Sequence, residues 1–384
     1  MSKIVIIGTT ASGKTCYFYG MLRKLQRGVS GFSIRINEKS NYNKLREGML
    51  KLGDTRLPLD ERWPLATSAV ETFKLDLMHN LRQLDSIDWV DYPGEHVAKM
   101  ENAFIEQLDG ADCLFVCVDG SKLAFDAERY ESFEDELADI EEELAEDGTA
   151  ADVFRNVPGG VSKELLERYG EDRCAVLTQY LINKSDDFDQ QSGMDLCNAL
   201  AHAEKAATEK AAKDENARKD LPAICILVTK ADTLPEMLKD MDLLHLFLQL
   251  CFPSLFYPGK GNHRDVSICP VTLGKDISTG GKLHPKNVER PICLAAYLMQ
   301  LTACKELGIN VDNFINHHAQ QAQAYNNAGF IGRIIRPKPR VLSEEEKATL
   351  RALVESANED LNELREMISI VPRYIDGIKG SWAD

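Results

Sequence analysis

Short apolar runs recur along the chain, and between them lie stretches in which every third or fourth residue is apolar. The short runs predict buried strands at 4–7, 69–77, 86–91, 112–118, 223–229 and 266–272. The periodic stretches predict helices, among them 14–27, 234–251 and 286–305. Strands that alternate with helices are typical of an α/β layer fold with a largely parallel sheet. Residues 69–91 leave no room for a helix between two strands, so we expect a hairpin with one antiparallel edge strand.

A long interval separates the strand that ends near Val118 from the one that begins near Ala223. Residues 126–147 of this interval contain twelve acidic residues and an apolar stripe. The stripe consists of Tyr130, Phe133, Leu137, Ile140 and Leu144. This spacing predicts an amphipathic helix that either packs on its own domain or binds a partner. With a second polar helix predicted over 193–218, we interpret 121–220 as a helical insertion within one domain.

The tail after about residue 306 differs in composition from the rest of the chain. Residues 329–340 are basic and apolar, which fits either a strap docked on its own domain or a contact with acidic lipid or with an acidic helix. Ser343 and Glu346 have the spacing of a capping box and predict the start of a helix. We therefore expect 306–384 to form a C-terminal helical extension.

Composition and charge exclude several classes of protein. Of the 384 residues, 44% are apolar and 28% charged, which is ordinary for a globular protein and excludes collagen, a coiled-coil rod and general disorder. The net charge of −16 disfavours a nucleic-acid partner. The chain has no Cys-x-x-Cys pair, no signal-peptide pattern and no run approaching about 18 apolar residues. We expect a reduced, cytoplasmic protein without a transmembrane segment.

The sequence from Gly8 to Thr15 carries the strongest chemical signal. It reads Gly-Thr-Thr-Ala-Ser-Gly-Lys-Thr, a full Gly-x₄-Gly-Lys-[Ser/Thr] match between a predicted strand and a predicted helix. Such a loop turns successive backbone N–H groups toward phosphate oxygens, and the helix N-terminus adds positive charge. We expect Lys14 to reach the β- and γ-phosphates and the Thr15 hydroxyl to ligate Mg²⁺.

A second candidate follows the strand at 86–91, where the chain reads Asp91-Tyr92-Pro93-Gly94-Glu95. Asp91 is a candidate magnesium ligand, directly or through water. Gly94 has no side chain, so its N–H can approach the γ-phosphate closely. The same residue types favour plain turns, which is the competing interpretation.

The third candidate is Thr229-Lys230-Ala231-Asp232, at the end of the strand 223–229. A carboxylate there can accept two hydrogen bonds from the N1 and N2 donors of guanine, which adenine cannot supply. Asn183-Lys184-Ser185-Asp186 matches the Asn-Lys-x-Asp pattern more literally, but it follows an apolar spacing that looks helical. We favour 229–232, because a base-binding loop belongs at the carboxyl end of a sheet strand.

Together these segments resemble the P-loop GTPases of the Ras-like, translation-factor-related (TRAFAC) class. The wording of residues 91–95 is similar to that of bacterial YcjX-like and double-GTPase-type proteins, rather than to the Asp-x-Ala-Gly-Gln of Ras. The resemblance covers about 1–120 and 221–305 and implies a three-layer Ras-like G domain. It implies nucleotide contacts by Gly8, Ala11, Ser12, Gly13, Lys14, Thr15, Cys16, Thr229, Lys230 and Asp232. Thr272 and Leu273, at the end of the next strand, look like a weaker base-contacting motif.

Two positions depart from the family pattern. No firm motif marks the switch threonine; Thr67 is our candidate third magnesium ligand, with Ser68 and Thr72 as competitors or a plain strand-edge threonine as the alternative. Glu95 stands where Ras-like enzymes often carry a glutamine that orients water. His96, which follows it, is another candidate for this role, with a plain surface histidine as the alternative. Glu95 can act on water as a base or through the magnesium shell, so we expect slow or partner-assisted turnover.

The resemblance implies a GTP-binding switch that hydrolyses GTP to GDP with Mg²⁺, with Lys14, Gly94 and Glu95 as catalytic candidates. Its segments near 55–68 and 91–104 would respond to the γ-phosphate. An effector or activating partner would bind through these switches, the insertion or the tail. Two alternatives stay open: a module that binds GTP or GDP with little turnover, and a P-loop kinase or ATPase.

Overall fold

One mixed sheet of nine strands organises the part of the chain that the computed structural model describes. The described residues are 2–65, 67–94, 106–108, 110–123, 133–147, 149–187, 190–213, 221–327 and 342–382. The strands are β1 (Ser2–Gly8), β2 (Phe32–Ile36), β3 (Glu71–His79), β4 (Arg82–Asp91), β5 (Cys113–Asp119), β6 (Ala223–Thr229), β7 (Asp265–Pro270), β8 (Arg373–Ile375) and β9 (Ile378–Gly380). Their order across the sheet is β2-β3-β4-β1-β5-β6-β7-β8-β9.

The middle of the sheet is parallel, as the sequence predicts, while its edges differ from the prediction. Strands β4, β1, β5, β6 and β7 run parallel, and β3 pairs antiparallel with β4 in the predicted hairpin. The expectation of one antiparallel edge strand is wrong. Strand β2 pairs antiparallel with β3 and forms the edge beyond it, and the antiparallel strands β8 and β9 extend the opposite edge. Strands of three to five residues, such as β2, β8 and β9, are too short to show a reliable pattern.

Helices lie between the strands along the chain. The helices are α1 (Lys14–Leu25), α2 (Lys39–Gly53), α3 (Leu59–Arg62), α4 (Phe133–Asp147), α5 (Ala150–Arg155), α6 (Lys163–Tyr169), α7 (Glu171–Asp187), α8 (Gln190–Ala211), α9 (Met241–Cys251), α10 (Pro253–Phe256), α11 (Arg290–Asn327) and α12 (Glu344–Ile368). Short 3₁₀ turns lie at Gly120–Leu123, Ala231–Thr233, Glu236–Lys239 and Ile277–Thr279. The interval between β1 and β3 therefore holds a strand and two helices that the sequence pattern does not predict.

The apolar stripe of the acidic segment packs into the main core. Leu137 and Ile140 are buried there and Leu144 packs against this core, while the ring of Phe133 meets Tyr180 edge-on with centroids 5.1 Å apart. Over 133–147, the described part of the segment 126–147, the prediction of an amphipathic helix that packs on its own domain is confirmed. Tyr130 lies outside the described residues.

The chain divides into two compact units, 1–291 with 370–384, and 292–369. The first unit holds the whole sheet together with the described helices of the 121–220 interval. The second is helical, with a small apolar cluster of Val311, Ile315 and Leu342 against Leu350 and Val354. Ser343 and Glu346 form the predicted capping box of α12. The expectation of a purely helical tail is wrong at its end, because 373–380 forms β8 and β9.

Among the described helices, α11 contains a stretch from Arg290 to Gln321 that is long and apolar enough to cross a membrane. Core helices of soluble proteins meet the same criterion of length and composition. The expectation of a chain without a transmembrane segment therefore stays a prediction.

Strand register places several polar residues at one edge of the sheet. In the pairing of parallel strands, Ile6 lies beside Asp91, Gly8 beside Cys117 and Asp119 beside Thr229. The carboxyl ends of these strands therefore share one edge. In an open α/β sheet this edge is where ligands bind.

The β3–β4 hairpin turns through two residues, Asn80 and Leu81, both with positive φ, at 45° and 69°. This is the backbone of a type I′ turn, in which glycine is favoured at the second position. Leu81 is 93% exposed, so its side chain contributes little packing to offset the strain. We expect Leu81→Gly to raise the free energy of unfolding by about 1 kcal/mol, measured by urea denaturation. Leu81→Ala keeps the strain and should gain nothing; a glycine variant less stable than wild type would contradict this account of the turn.

Candidate functional site

A cavity of about 580 Å³ opens at the carboxyl edge of the parallel strands. Its walls come from segments far apart in sequence: 10–17, 63–65, 229–230, 232–233, 271–273 and 277–278, with Thr67, Gly94, Ser121 and Val288. The predicted residues Ala11, Ser12, Gly13, Lys14, Thr15 and Cys16 all line it, as do Thr229, Lys230, Asp232, Thr272 and Leu273. Three motifs chosen from sequence therefore meet in one cavity.

The loop from Gly8 to Gly13 wraps around the Lys14 amine. Lys14 Nζ donates hydrogen bonds to the carbonyls of Gly8, at 2.9 Å, and Thr9, at 3.2 Å. Burial lowers the pKa of Lys14, partly opposed by the nearby charge of Asp91. At Gly8, whose φ is +151°, a Cβ atom would lie 2.6 Å from the carbonyl oxygen of Cys117, so only glycine fits beside β5. The loop leads into the N-terminus of α1, which favours a bound anion.

Three oxygens converge below this loop. The Thr67 hydroxyl donates to Asp91 Oδ2 at 3.1 Å, and the Thr15 hydroxyl lies 3.4 Å from the same oxygen and 3.3 Å from Thr67 Oγ1. Ser68 and Thr72, the alternatives to Thr67 as the third magnesium ligand, are exposed. The structure therefore brings together the predicted metal residues Thr15, Thr67 and Asp91.

The chemistry of this oxygen set fits Mg²⁺. Neighbouring ligands of an octahedral magnesium lie about 3 Å apart when each is about 2.1 Å from the ion. Asp91 is 2% exposed, and its Oδ1 has no hydrogen-bond partner among the described residues. Burial raises the pKa of Asp91, opposed by the Lys14 charge and by the threonine hydroxyls. The described residues hold no cluster of three His, Cys, Asp or Glu, so a metal here would need hydroxyl, ligand or water oxygens as well.

Gly94 lies against the backbone of the 8–13 loop. A Cβ atom at this position would be 2.6 Å from the Thr10 nitrogen and 2.7 Å from the Gly8 carbonyl oxygen. Only glycine permits this approach, which brings the Gly94 backbone to the cavity wall. Glu95 and His96 lie outside the described residues, so their predicted roles stay predictions.

One buried hydroxyl joins the base-binding candidate to the loop after β1, the phosphate-binding candidate. Thr229 Oγ1 donates to the Ser12 carbonyl at 2.6 Å and lies 3.2 Å from the Val118 carbonyl oxygen. Next along the chain, Lys230 has a φ of +50°, and its Nζ pairs with Asp119 Oδ2 at 2.6 Å. These bonds fix the 229–232 loop to β5 and to the loop after β1.

Asp232 is held by the following loop. Its Oδ1 accepts a hydrogen bond from the Thr272 hydroxyl, whose oxygen in turn accepts one from the Gly274 N–H at 3.0 Å. Both side chains line the cavity. The predicted base-contacting motifs at 229–232 and 272–273 are therefore adjacent in the fold.

The competing motif at 183–186 lies elsewhere. Its residues belong to α7, where Asn183 accepts a hydrogen bond from Gln179 at 2.8 Å and Lys184 forms an ion pair with Glu136 at 2.8 Å. Neither Asn183 nor Lys184 lines the cavity. The preference for 229–232, made because that segment ends a strand, agrees with this placement.

The sequence analysis does not predict several residues in and beside the cavity. Asp119 and Ser121 support Lys230, and Ile277 and Val288 add apolar wall. Asp119 carried a usable signal, because it is the first polar residue after a buried strand. Ile277 and Val288 carried none, since their position depends on how the chain returns after β7.

Comparison with protein-family models and with curated proteins finds no match to this chain. The resemblance to P-loop GTPases therefore rests on the motifs and on their placement alone.

The oxygen set generates a test with a matched control. Thr67→Ala should weaken Mg²⁺ binding, in the presence of a non-hydrolysable GTP analogue, by about tenfold, which corresponds to about 1.4 kcal/mol. Ser68→Ala, the exposed neighbour, should leave it unchanged. The readout is the Mg²⁺ concentration at half-maximal thermal stabilisation. A larger effect of Ser68→Ala would show that Thr67 is the wrong ligand.

Proposed function

We propose that this protein binds GTP with Mg²⁺ and hydrolyses it to GDP, acting as a molecular switch. One observation carries the proposal: the Gly-x₄-Gly-Lys-Thr loop, an Asp-x-x-Gly segment and a Thr-Lys-x-Asp segment, far apart in sequence, line or flank one cavity at the carboxyl edge of a parallel sheet. Each of the three supplies a different part of the chemistry that a nucleoside triphosphate needs.

The phosphates would lie in the loop from Gly8 to Thr15. Its backbone N–H groups and the N-terminus of α1 would face the phosphate oxygens. Lys14, now bonded to the loop carbonyls, would exchange those bonds for the more negative phosphate oxygens. Residues Ser12, Gly13, Thr15 and Cys16 complete this end of the cavity.

Thr15, Thr67 and Asp91 would hold the magnesium ion, which neutralises phosphate charge when bound. Asp91 needs such a cation, because its buried carboxylate has an oxygen without a partner. The guanine base would lie between Asp232 and the 272–273 loop. There the Asp232 carboxylate, half-buried on the cavity wall, would accept both donors of the guanine edge.

Hydrolysis is the attack of water on the γ-phosphorus, with cleavage of the bond to the β–γ bridging oxygen. Lys14 and the loop N–H groups would stabilise the charge that develops on that oxygen. The Gly94 N–H would hold a γ-phosphate oxygen, and Glu95 would accept the proton of the attacking water, directly or through a second water. A carboxylate beside a triphosphate is repelled electrostatically, so we expect slow turnover that a partner protein accelerates.

The second candidate function is a module that binds GTP or GDP and turns over little. It is favoured by Glu95 in place of glutamine and by the large helical interval between β5 and β6. A P-loop kinase or ATPase ranks third, because Asp232 lines the cavity, where its carboxylate would accept both donors of a guanine edge that adenine lacks. We further propose a cytoplasmic protein whose partner is another protein and not nucleic acid, with peripheral membrane contact at most.

Phosphate release from GTP tests the enzymatic half of the proposal. The wild-type protein should release phosphate in Mg²⁺ and not after chelation of the metal. Lys14→Ala should slow release by about a hundredfold or more, as loss of a charge-stabilising group does. The matched control is Lys163→Ala, an exposed lysine on α6, which should match the wild type.

The outcomes separate the candidates. GTP binding without release, even after addition of cellular extract, would favour the binding module. Release that is equally fast in Lys14→Ala would show that the phosphate-binding loop is not the site of chemistry. A phosphorylated acceptor product would favour the kinase.

A further inference from the structure

Arg62 is a buried charge with an incomplete set of partners. The residue ends α3 and is 2% exposed. Its Nη2 donates to the Leu52 carbonyl at 3.1 Å and to the Gly281 carbonyl at 2.9 Å. Its Nε and Nη1 have no hydrogen-bond partner among the described residues. Burial of a guanidinium with two nitrogens that lack hydrogen-bond partners disfavours folding, so a contribution to stability does not explain why an arginine stands here.

The two carbonyls belong to different parts of the chain. Leu52 lies in the last turn of α2, where carbonyls lack partners within the helix and a cation is favoured. Gly281, separated from Arg62 by 219 positions, closes a tight turn in which its N–H donates to the Asp276 carbonyl at 2.7 Å. One side chain therefore ties the segment before β3 to the turn after β7.

Both tied segments form walls of the cavity. Trp63, Pro64 and Leu65 follow Arg62 directly and line one side, and Ile277 and Ser278 of the 276–281 turn line another. Thr67, the candidate metal ligand, comes only two residues after Leu65. Movement of the 59–65 segment away from the 276–281 turn would open the cavity.

The other attachment of Arg62 is firmly held. Helix α2 packs closely on α1, where a Cβ atom at Gly48 would lie 2.4 Å from the Tyr19 ring. Arg23 of α1 donates to the Met49 carbonyl of α2 at 3.1 Å. Helix α1 begins at Lys14, directly after the proposed phosphate-binding loop. Through its bond to Leu52, Arg62 is therefore attached by way of α2 to the helix that follows this loop.

We propose that Arg62 is a positioning residue that latches the 59–65 segment to the 276–281 turn and so slows the escape of bound guanine nucleotide. This proposal rests on the proposed function, since it assumes that the cavity holds such a nucleotide. It adds a regulatory device: any partner that pulled the 59–65 segment away would break the bond to Gly281 and accelerate exchange of GDP.

The test is the dissociation rate of fluorescent GDP, chased with excess unlabelled GDP, from the 384-residue chain in Mg²⁺. Arg62→Met fills a similar volume without hydrogen-bond donors and should accelerate dissociation at least about tenfold. Its association rate should change much less. Its Tm without nucleotide should be equal to or above that of wild type, because a partly unpartnered buried charge is removed. Arg62→Lys, which keeps one donor group, should be intermediate.

Arg46→Ala is the matched control, since this arginine is exposed on α2; its dissociation rate should equal the wild-type rate. An unchanged rate in Arg62→Met, or the same acceleration in Arg46→Ala, would overturn the latch while leaving the proposed function intact. A lower Tm in Arg62→Met, with dissociation no faster than in Arg62→Lys, would assign Arg62 a structural role and also overturn the latch. A wild-type protein that binds no guanine nucleotide would overturn both proposals.

Discussion

The hydrogen bond from the Thr229 hydroxyl to the Ser12 carbonyl is the contact on which the site depends. It is buried and 2.6 Å long, and it joins the loop after β1 to the end of β6. The same oxygen lies 3.2 Å from the Val118 carbonyl oxygen of β5. Gly13 abuts Thr229, where a Cβ atom would be 3.3 Å from the hydroxyl oxygen. These contacts therefore hold the loop after β1 against the 229–232 segment.

Three other features of the site reduce the stability of the folded protein. Asp91 is buried with one oxygen unpartnered, Lys14 is buried against carbonyls, and Lys230 adopts a left-handed backbone conformation. Each feature disfavours the folded state. The burial of Asp91 and Lys14 is explained if a metal ion and an anionic nucleotide supply the partners that these charges lack. Binding would then stabilise the fold through the same groups that recognise the ligand.

The sequence predicts the parts of the fold that rest on local chemistry. Residues 8–15 and the β3–β4 hairpin are read from glycines, turn residues and apolar runs, and the structure has them where expected. Strands β2, β8 and β9 are not predicted from the sequence, because strands this short are stabilised by neighbours distant in sequence. The proposed role of Arg62 is not predictable for the same reason, because it depends on hydrogen bonds to two carbonyls, one of them 219 positions away.

The most direct test of the central claim is competition for fluorescent GDP by GTP and by ATP in Mg²⁺. Wild type, Asp232→Ala and Asp186→Ala would be compared, the last changing the carboxylate of the competing motif in α7. The account predicts that ATP competes at least about a hundredfold more weakly than GTP, since adenine leaves the carboxylate unpaired. This preference should be lost in Asp232→Ala and kept in Asp186→Ala. Equal competition by ATP, or a preference lost only in Asp186→Ala, would contradict the account.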